Sequence, residues 1–377
     1  SKVLTDQFEP GSTFKIVAAT ASLAENIVAL EQEFSCENGE FDYFGSTIKD
    51  HEPYEQLTIS QIIKYSSNIG IIKIAEEVGS NSIYKYAKLF GFGTPTNFDM
   101  VGETAGKIKP EKEWSRISIG QISMGHEVAV NTLQLAVAFS AIANNGFIVK
   151  PYIIDKIYNK DKNLEQKTMS LVKRQISSEK KINEIKEMLR QVVLNGTGTE
   201  ADIKGWNVAG KTGTAQKYIN GKYSNDHFIS NFVGFFPASK PEILSVIVLD
   251  EPKSPMHWGG IGAAVAFKRV IKRIINMDDR ITPPVKEKRQ EKPNHFVYSE
   301  LDRMIARNQI PYALSTTNIQ KRIEVPNVLG KSLKKAIAIL SNAGLKVKVN
   351  GSGQVIEQFP KPGRLIKNSK LCILTLK

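Results

Sequence analysis

The spacing of apolar residues changes character twice along this chain, and the two changes divide it. Residues 12–30 (STFKIVAATASLAENIVAL) are apolar on nearly every side, which predicts a helix buried all round. Residues 58–78 carry a second helical pattern, with its break expected at Gly70. Residues 131–145 (NTLQLAVAFSAIANN) predict another apolar helix, stopped by Gly146 in the usual place just past a C-terminus. Residues 179–194 are amphipathic and end before Asn195-Gly196. Then the texture shortens. Residues 206–217, 227–236 and 243–250 are β-prone runs punctuated by Asn-Gly, Asn-Asp and Pro, which predicts an antiparallel meander. Residues 260–276 return to helical spacing. Helices, then strands, then a helix imply an α+β fold, an antiparallel sheet covered by helices.

A second change follows. Residues 277–323 hold Pro283-Pro284, a charged run and no clean period, so they read as a linker with room for one short helix. Residues 324–377 then show a complete small pattern, βαββ-like. A helix is expected over 332–343 with Gly344 as its cap. LKVKV at 345–349 alternates, Gly351 to Gly353 turns the chain, and LCILTLK ends it as a strand. The expected division is therefore 1–276, 277–323 and 324–377.

Composition alters this picture little. With 41% hydrophobic and 24% charged residues, 377 residues suffice for one large core or two modest ones. No run of 18 apolar residues occurs, so no segment reads as a bilayer-spanning helix. The chain starts at Ser1 and reaches a motif by residue 12, and it is read as N-terminally truncated. The net charge of +13 suits nucleic acid, anionic headgroups or an anionic polymer. Neither zinc-finger spacing nor a ribonucleoprotein aromatic motif is present, so no nucleic-acid partner is expected, and scattered lysines read as a solvated surface. Cys36 and Cys372 build neither a disulfide framework nor a metal site, and the five histidines form no cluster, so no metal and no cofactor is expected.

Three short motifs carry candidate chemistry. S-x-x-K begins at Ser12, but also at Ser46, Ser82, Ser170, Ser177, Ser178 and Ser332, so a lone match means little. Ser12 differs in context, following Pro10-Gly11 and opening the apolar helix. A helix N-terminus offers free N–H groups and a positive dipole end. Lys15, three residues on, shares the face of Ser12 and would be buried, which depresses its proton affinity and suits it to accept the Ser12 proton. The bland alternative is a capping Ser and a Lys that reaches back to solvent. Ser66-Ser67-Asn68 is an S-x-N in a helical stretch; blandly, it is a polar helix break. Lys211-Thr212-Gly213-Thr214 lies on an expected strand, and K-T-G occurs nowhere else in the chain. There the hydroxyls and the ammonium suit a carboxylate, and Gly213 lets another backbone approach; blandly, it is a turn after a strand.

The ordered trio of S-x-x-K, S-x-N and K-T-G is the set found in serine β-lactamases and penicillin-binding proteins. With FEPGSTFK, YSSNIGIIKIAEEVG, GFG at 91–93, NVAGKTGTAQK and NFVGFFPA, residues 1–276 resemble the transpeptidase domain of class B penicillin-binding proteins, most of all the division type. VPNVLGKSLKKAIAILSNAGLKV and QFPKPG resemble one PASTA unit. The resemblance implies acyl transfer from D-Ala-D-Ala stem peptides, with Ser12 as nucleophile, Lys15 as base, Ser66 as proton relay and Asn68 holding Lys15 and the substrate amide. The N–H groups of Ser12 and Thr214 would form the oxyanion hole, and Lys211, Thr212 and Thr214 would receive the terminal carboxylate beside Gly213. It further implies β-lactams as inhibitors, a glycosyltransferase and division proteins as partners, and a site outside the cytoplasmic membrane, anchored by a segment before residue 1 that also supplies further strands. Thr132 stands where many relatives have Pro. His257-Trp258-Gly259-Gly260 and Ala263-Ala264-Val265 replace a Tyr-Gly-Gly run and Ala-Ala-Pro, differences expected to touch packing and the rim but not the motifs. Three rivals share the trio: a serine β-lactamase, for which Glu77…Asn81 matches E-x-x-x-N by letters, a D-alanyl-D-alanine carboxypeptidase, and a β-lactam sensor.

Overall fold

The structure, a computed structural model, describes residues 1–278, 281, 323–351, 353–363, 365–366 and 371–376. Nearly all of the expected linker 277–323 lies outside the described residues. The chain divides into two compact units, the first holding Ser1–Lys272 and the second the C-terminal residues.

In the first unit a 3₁₀ turn, Gly11–Lys15, runs directly into helix α1, Ile16–Ala24. Ile16, Val17, Ala18, Ala19, Ala21 and Leu23 are all buried, as an all-round apolar helix requires. Each large aliphatic side chain there contributes about 1.5–3 kcal/mol by leaving water. The helix expected to reach residue 30 stops at Ala24. Asn26 takes a left-handed φ of 55°, and the N–H groups of Ile27 and Val28 fold back to Ser22 O at 2.9 and 3.4 Å. An Asn tolerates that conformation, and it ends the helix inside a run that reads as apolar.

Residues 58–78 form two helices, α2 (Ile59–Tyr65) and α3 (Asn68–Val78). Thr58 and Gln61 make a capping box that starts α2. The break falls at Ser66, with φ 62°, and not at Gly70, which lies inside α3. Gly70 has a packing reason instead: a Cβ there would sit 2.6 Å from Cγ1 of Ile62. Helices α4 (Ser80–Phe90), α5 (Ser118–Met124), α6 (Thr132–Ala143) and α7 (Glu179–Asn195) contribute to the same core as α1. Thr132 is the first residue of α6 behind the Asn131 cap, a position where Pro is equally at home because its N–H has no intrahelical partner.

The meander forms as expected, with strands β1 (Ala209–Ile219), β2 (Lys222–Phe236) and β3 (Ile243–Asp250) in the order β3-β2-β1. Asn220 and Gly221 turn β1 into β2 with φ of 52° and 83°. Val233 and Phe235 face the helical core, while Phe232 meets Phe267 of helix α8 (Ala263–Met277) at 4.8 Å between ring centroids. The sheet is thus covered on both faces.

Within the second unit β4 (Ile323–Glu324) pairs antiparallel with β7 (Leu365–Ile366). Helix α9 (Leu333–Asn342) leads into a sheet of β5 (Lys346–Asn350), β8 (Leu371–Leu376) and β6 (Val355–Phe359). The central β8 pairs parallel with β5 and antiparallel with β6. Val328, Leu340, Leu345, Val355, Cys372 and Leu374 form a core of its own.

Candidate active site

Glycine brings the first and third motifs together. Gly11 sits at φ +56°, and a Cβ on it would lie 2.6 Å from Thr214 O. A Cβ on Gly213 would lie 2.7 Å from Pro10 O and 2.4 Å from Oδ1 of Asn231. The turn bearing Ser12 therefore lies flat against β1, a contact any larger residue would prop open. Asn231, opposite Gly213 in the β1–β2 register, donates from Nδ2 to Pro10 O at 3.1 Å and ties down the same turn.

The second motif is positioned by its helix break. The left-handed backbone of Ser66 is strained for a non-glycine residue, and such strain is held only by surroundings that over-determine it. Ser67 then caps α3, its Oγ accepting from Gly70 N at 2.9 Å. Lys15 Nζ meets this turn, donating to Ser66 O at 2.5 Å, to Ser66 Oγ at 3.3 Å and to Asn68 Oδ1 at 2.8 Å. Lys211 Nζ reaches the same hydroxyl from the other side, 2.9 Å from Ser66 Oγ, and also donates to Thr212 O at 3.2 Å. None of the three Lys15 bonds goes to Ser12, so the serine that the ammonium contacts in this state is Ser66.

Both lysines are wholly buried. Burial strips water from an ammonium and lowers its proton affinity. It holds Lys15 down at about 7, with the Asp50 carboxylate working in the opposite sense. Burial drives Lys211 well below the usual lysine range, and the neighbouring Lys15 charge adds to that. Such a pair can pass a proton through the hydroxyl between them.

Thr212 and Thr214 share the other face of β1, two residues apart. Thr212 Oγ1 bonds Thr197 Oγ1 at 2.7 Å, and Thr214 Oγ1 accepts from Gly259 N at 2.9 Å. The His257–Gly260 run was expected to stay clear of the motifs, and here the expectation is corrected. A Cβ on Gly259 would be 2.5 Å from Gly213 O, so this run packs directly on the K-T-G strand. Trp258 stands at its edge, its ring 5.3 Å from that of His51.

Four contributors were not among the expected site residues, although Glu9 lies in FEPGSTFK and Asn231 opens NFVGFFPA. Asp50, Asn231 and Thr197 act across 15 residues or more, beyond the reach of any spacing rule. Glu9 is the fourth. It accepts from Glu127 N at 3.0 Å and from the Tyr223 hydroxyl at 3.2 Å, and lies 2.9 Å from His126 Nδ1. Glu77, the letter match to a deacylating base, is exposed at the far end of α3 and bonds Gln32, away from Lys15.

Comparison with known proteins places the chain in a family. Residues 1–272 match the penicillin binding protein transpeptidase domain, and residues 323–376 match the PASTA domain. Stage V sporulation protein D of Bacillus subtilis is 31% identical over 367 residues, covering 96% of this chain and 52% of that protein. The peptidoglycan D,D-transpeptidase FtsI of Escherichia coli is 31% identical over 274 residues, covering 72% of this chain and 44% of that protein. The chain thus spans about half the length of the curated relatives it matches. Among solved structures, penicillin binding protein 3 of Mycobacterium tuberculosis, complexed with ampicillin, superposes with a TM-score of 0.67 at 27% identity, covering 76% of this chain and 66% of that one. By its family match, its fold and its relatives, the chain belongs to the penicillin-binding protein transpeptidases and carries a C-terminal PASTA domain.

Proposed function

We propose that this chain carries the catalytic part of a peptidoglycan D,D-transpeptidase working through a serine acyl-enzyme. The observation that carries the reading is the Ser66 hydroxyl held between two buried lysines beside a serine pressed against an edge strand. Ser12 attacks the carbonyl between the two D-alanines of a stem peptide. Its proton passes to neutral Lys15 and on through Ser66 to the leaving D-alanine amine, with Lys211 holding the relay in line. Asn68 orients Lys15 and accepts the substrate amide. β1 is an outer strand among the described residues, so alternate N–H groups face the cleft. Thr214 N–H and Ser12 N–H there stabilise the oxyanion. Because Lys211 is spent on Ser66, the carboxylate is received by the hydroxyls of Thr212 and Thr214, with Lys211 adding potential from behind. An amine from a second stem peptide then takes the acyl group.

A β-lactam mimics the donor and stops at the acyl-enzyme, in keeping with the ampicillin complex of the Mycobacterium tuberculosis relative. The same reading puts residues 1–276 to catalysis and 324–377 to a separate module, with the work done on the extracytoplasmic face, beside a glycosyltransferase and division proteins. No helix among the described residues is long and apolar enough to cross a membrane. The test is covalent labelling. A fluorescent penicillin should attach to Ser12, located by mass spectrometry of the proteolytic peptide, and Ser12→Ala should abolish it. Folded protein labelled elsewhere, or not at all, refutes the reading.

A further inference from the structure

The turn that presents Ser66 and Asn68 rests on a support that none of the three motifs contains. Strands Glu40–Tyr43 and Ser46–Lys49 form a two-stranded ribbon, which ends beside the N-terminus of α3. The next residue is Asp50. Its Oδ1 accepts from the N–H of Asn68 and from that of Ile69 at 3.1 Å, and its Oδ2 accepts from the Ser67 hydroxyl. One residue earlier, Lys49 O accepts from Asn68 Nδ2 at 2.9 Å. That last bond fixes the amide, because with Nδ2 turned to Lys49 the Asn68 Oδ1 must face Lys15 Nζ. A carboxylate satisfying free N–H groups at a helix start is placed where the dipole favours negative charge.

We propose that Asp50 is a positioning residue for acyl transfer, locking the Ser66–Asn68 turn against the Ser12–Lys15 turn and setting its charge against the buried Lys15. The proposal rests on the acyl-enzyme reading above. Lys15 is faced by Lys211 from β1, by the Asp50 field from the ribbon, and by the neutral Ser66 and Asn68. Asp50 is itself faced by the Cys36 thiol and the Tyr54 phenol, both pushed up chiefly by burial and further by its charge, so both stay neutral at working pH. Asp50 therefore opposes the burial that strips Lys15 of its proton. It keeps the base near neutrality while it holds the relay in place.

Two substitutions separate the bonds from the charge. Asp50→Asn keeps Oδ1 for both N–H groups, and its amide can donate to Ser67 Oγ, which has lone pairs to spare. Only the charge goes. The rising limb of the acylation rate against pH should then move to lower pH, with the melting temperature close to that of the unaltered chain. Asp50→Ala removes every acceptor, and acylation by labelled penicillin should fall about a hundredfold, the scale of a small misplacement of reacting groups. Rates are timed at Ser12 across pH in both variants. An unmoved limb in Asp50→Asn overturns the proposal, and it decides the matter if Asp50→Ala does not fold. Asp50→Ala that folds and acylates at the unaltered rate also overturns it. If the unaltered chain takes no label at Ser12, the acyl-enzyme reading itself falls, and the role of Asp50 falls with it.

Discussion

The Nζ atoms of Lys15 and Lys211 lie 3.3 and 2.9 Å from one oxygen, the hydroxyl of Ser66. Both ammonium groups are wholly buried, and no salt bridge involving either is found among the described residues. Two charges cannot comfortably share so dry a space, so the site is built to shed a proton.

The first prediction is a pH dependence. Burial lowers Lys15 to about 7, so its neutral, basic form grows as pH rises through that value. Acylation by a labelled penicillin should therefore climb between about pH 6 and pH 8 and level off above. A rate flat across that window would remove Lys15 as the base.

The second concerns Lys211. Burial opposes its charge, so the folded state gains little from the ammonium itself. Lys211→Ala should slow acylation by about a hundredfold or more while shifting the melting temperature only modestly. A large loss of stability, with the folded fraction still acylating normally, would make the residue structural.

The third concerns the contact between Gly11 and Thr214. Gly11→Ala would force an L side chain into a left-handed backbone and drive its Cβ to 2.6 Å from Thr214 O. The two penalties together should destabilise the chain by about 2–5 kcal/mol. Thermal melts measure that loss, and the surviving folded protein should label poorly because the Ser12 turn has lifted from β1. A variant as stable and as reactive as the unaltered chain would contradict this packing.

The fourth concerns the second unit. It has its own core, built on residues such as Val328, Leu340 and Leu374. A chain ending at Met277 should acylate within about threefold of the full chain, under ~1 kcal/mol in activation terms. A hundredfold loss in a truncated chain that still melts cooperatively would make residues 324–377 part of the catalytic machinery.

Local physics made much of this protein legible. The all-round apolar run after Ser12 announced a buried helix, and α1 is one. The strands broken by Asn-Gly and Pro announced a meander, and β1 to β3 form it in sequence order. The three motifs could be found because each is a local device: a serine at a turn, a serine cap after a helix break, and a lysine with two hydroxyls on alternating positions of one strand.

What the sequence could not state is who meets whom. Helix α1 stops two residues before an Asn whose left-handed turn hides within an apolar run, and Gly70 reads as a break although it exists to admit Ile62. Lys15 looks like a partner for Ser12 three residues away, yet it contacts Ser66 and Asn68, more than 50 residues on. Lys211 looks like a carboxylate receptor, and it is turned instead to Ser66. Asp50 carries no signal at all, since a carboxylate that serves a helix 18 residues later obeys no spacing rule. Periodicity and capping are set by neighbours within a turn or two, so the chain declares them. Burial, proton affinity and the pairing of distant side chains are set by what packing removes from water, and only the folded chain decides that.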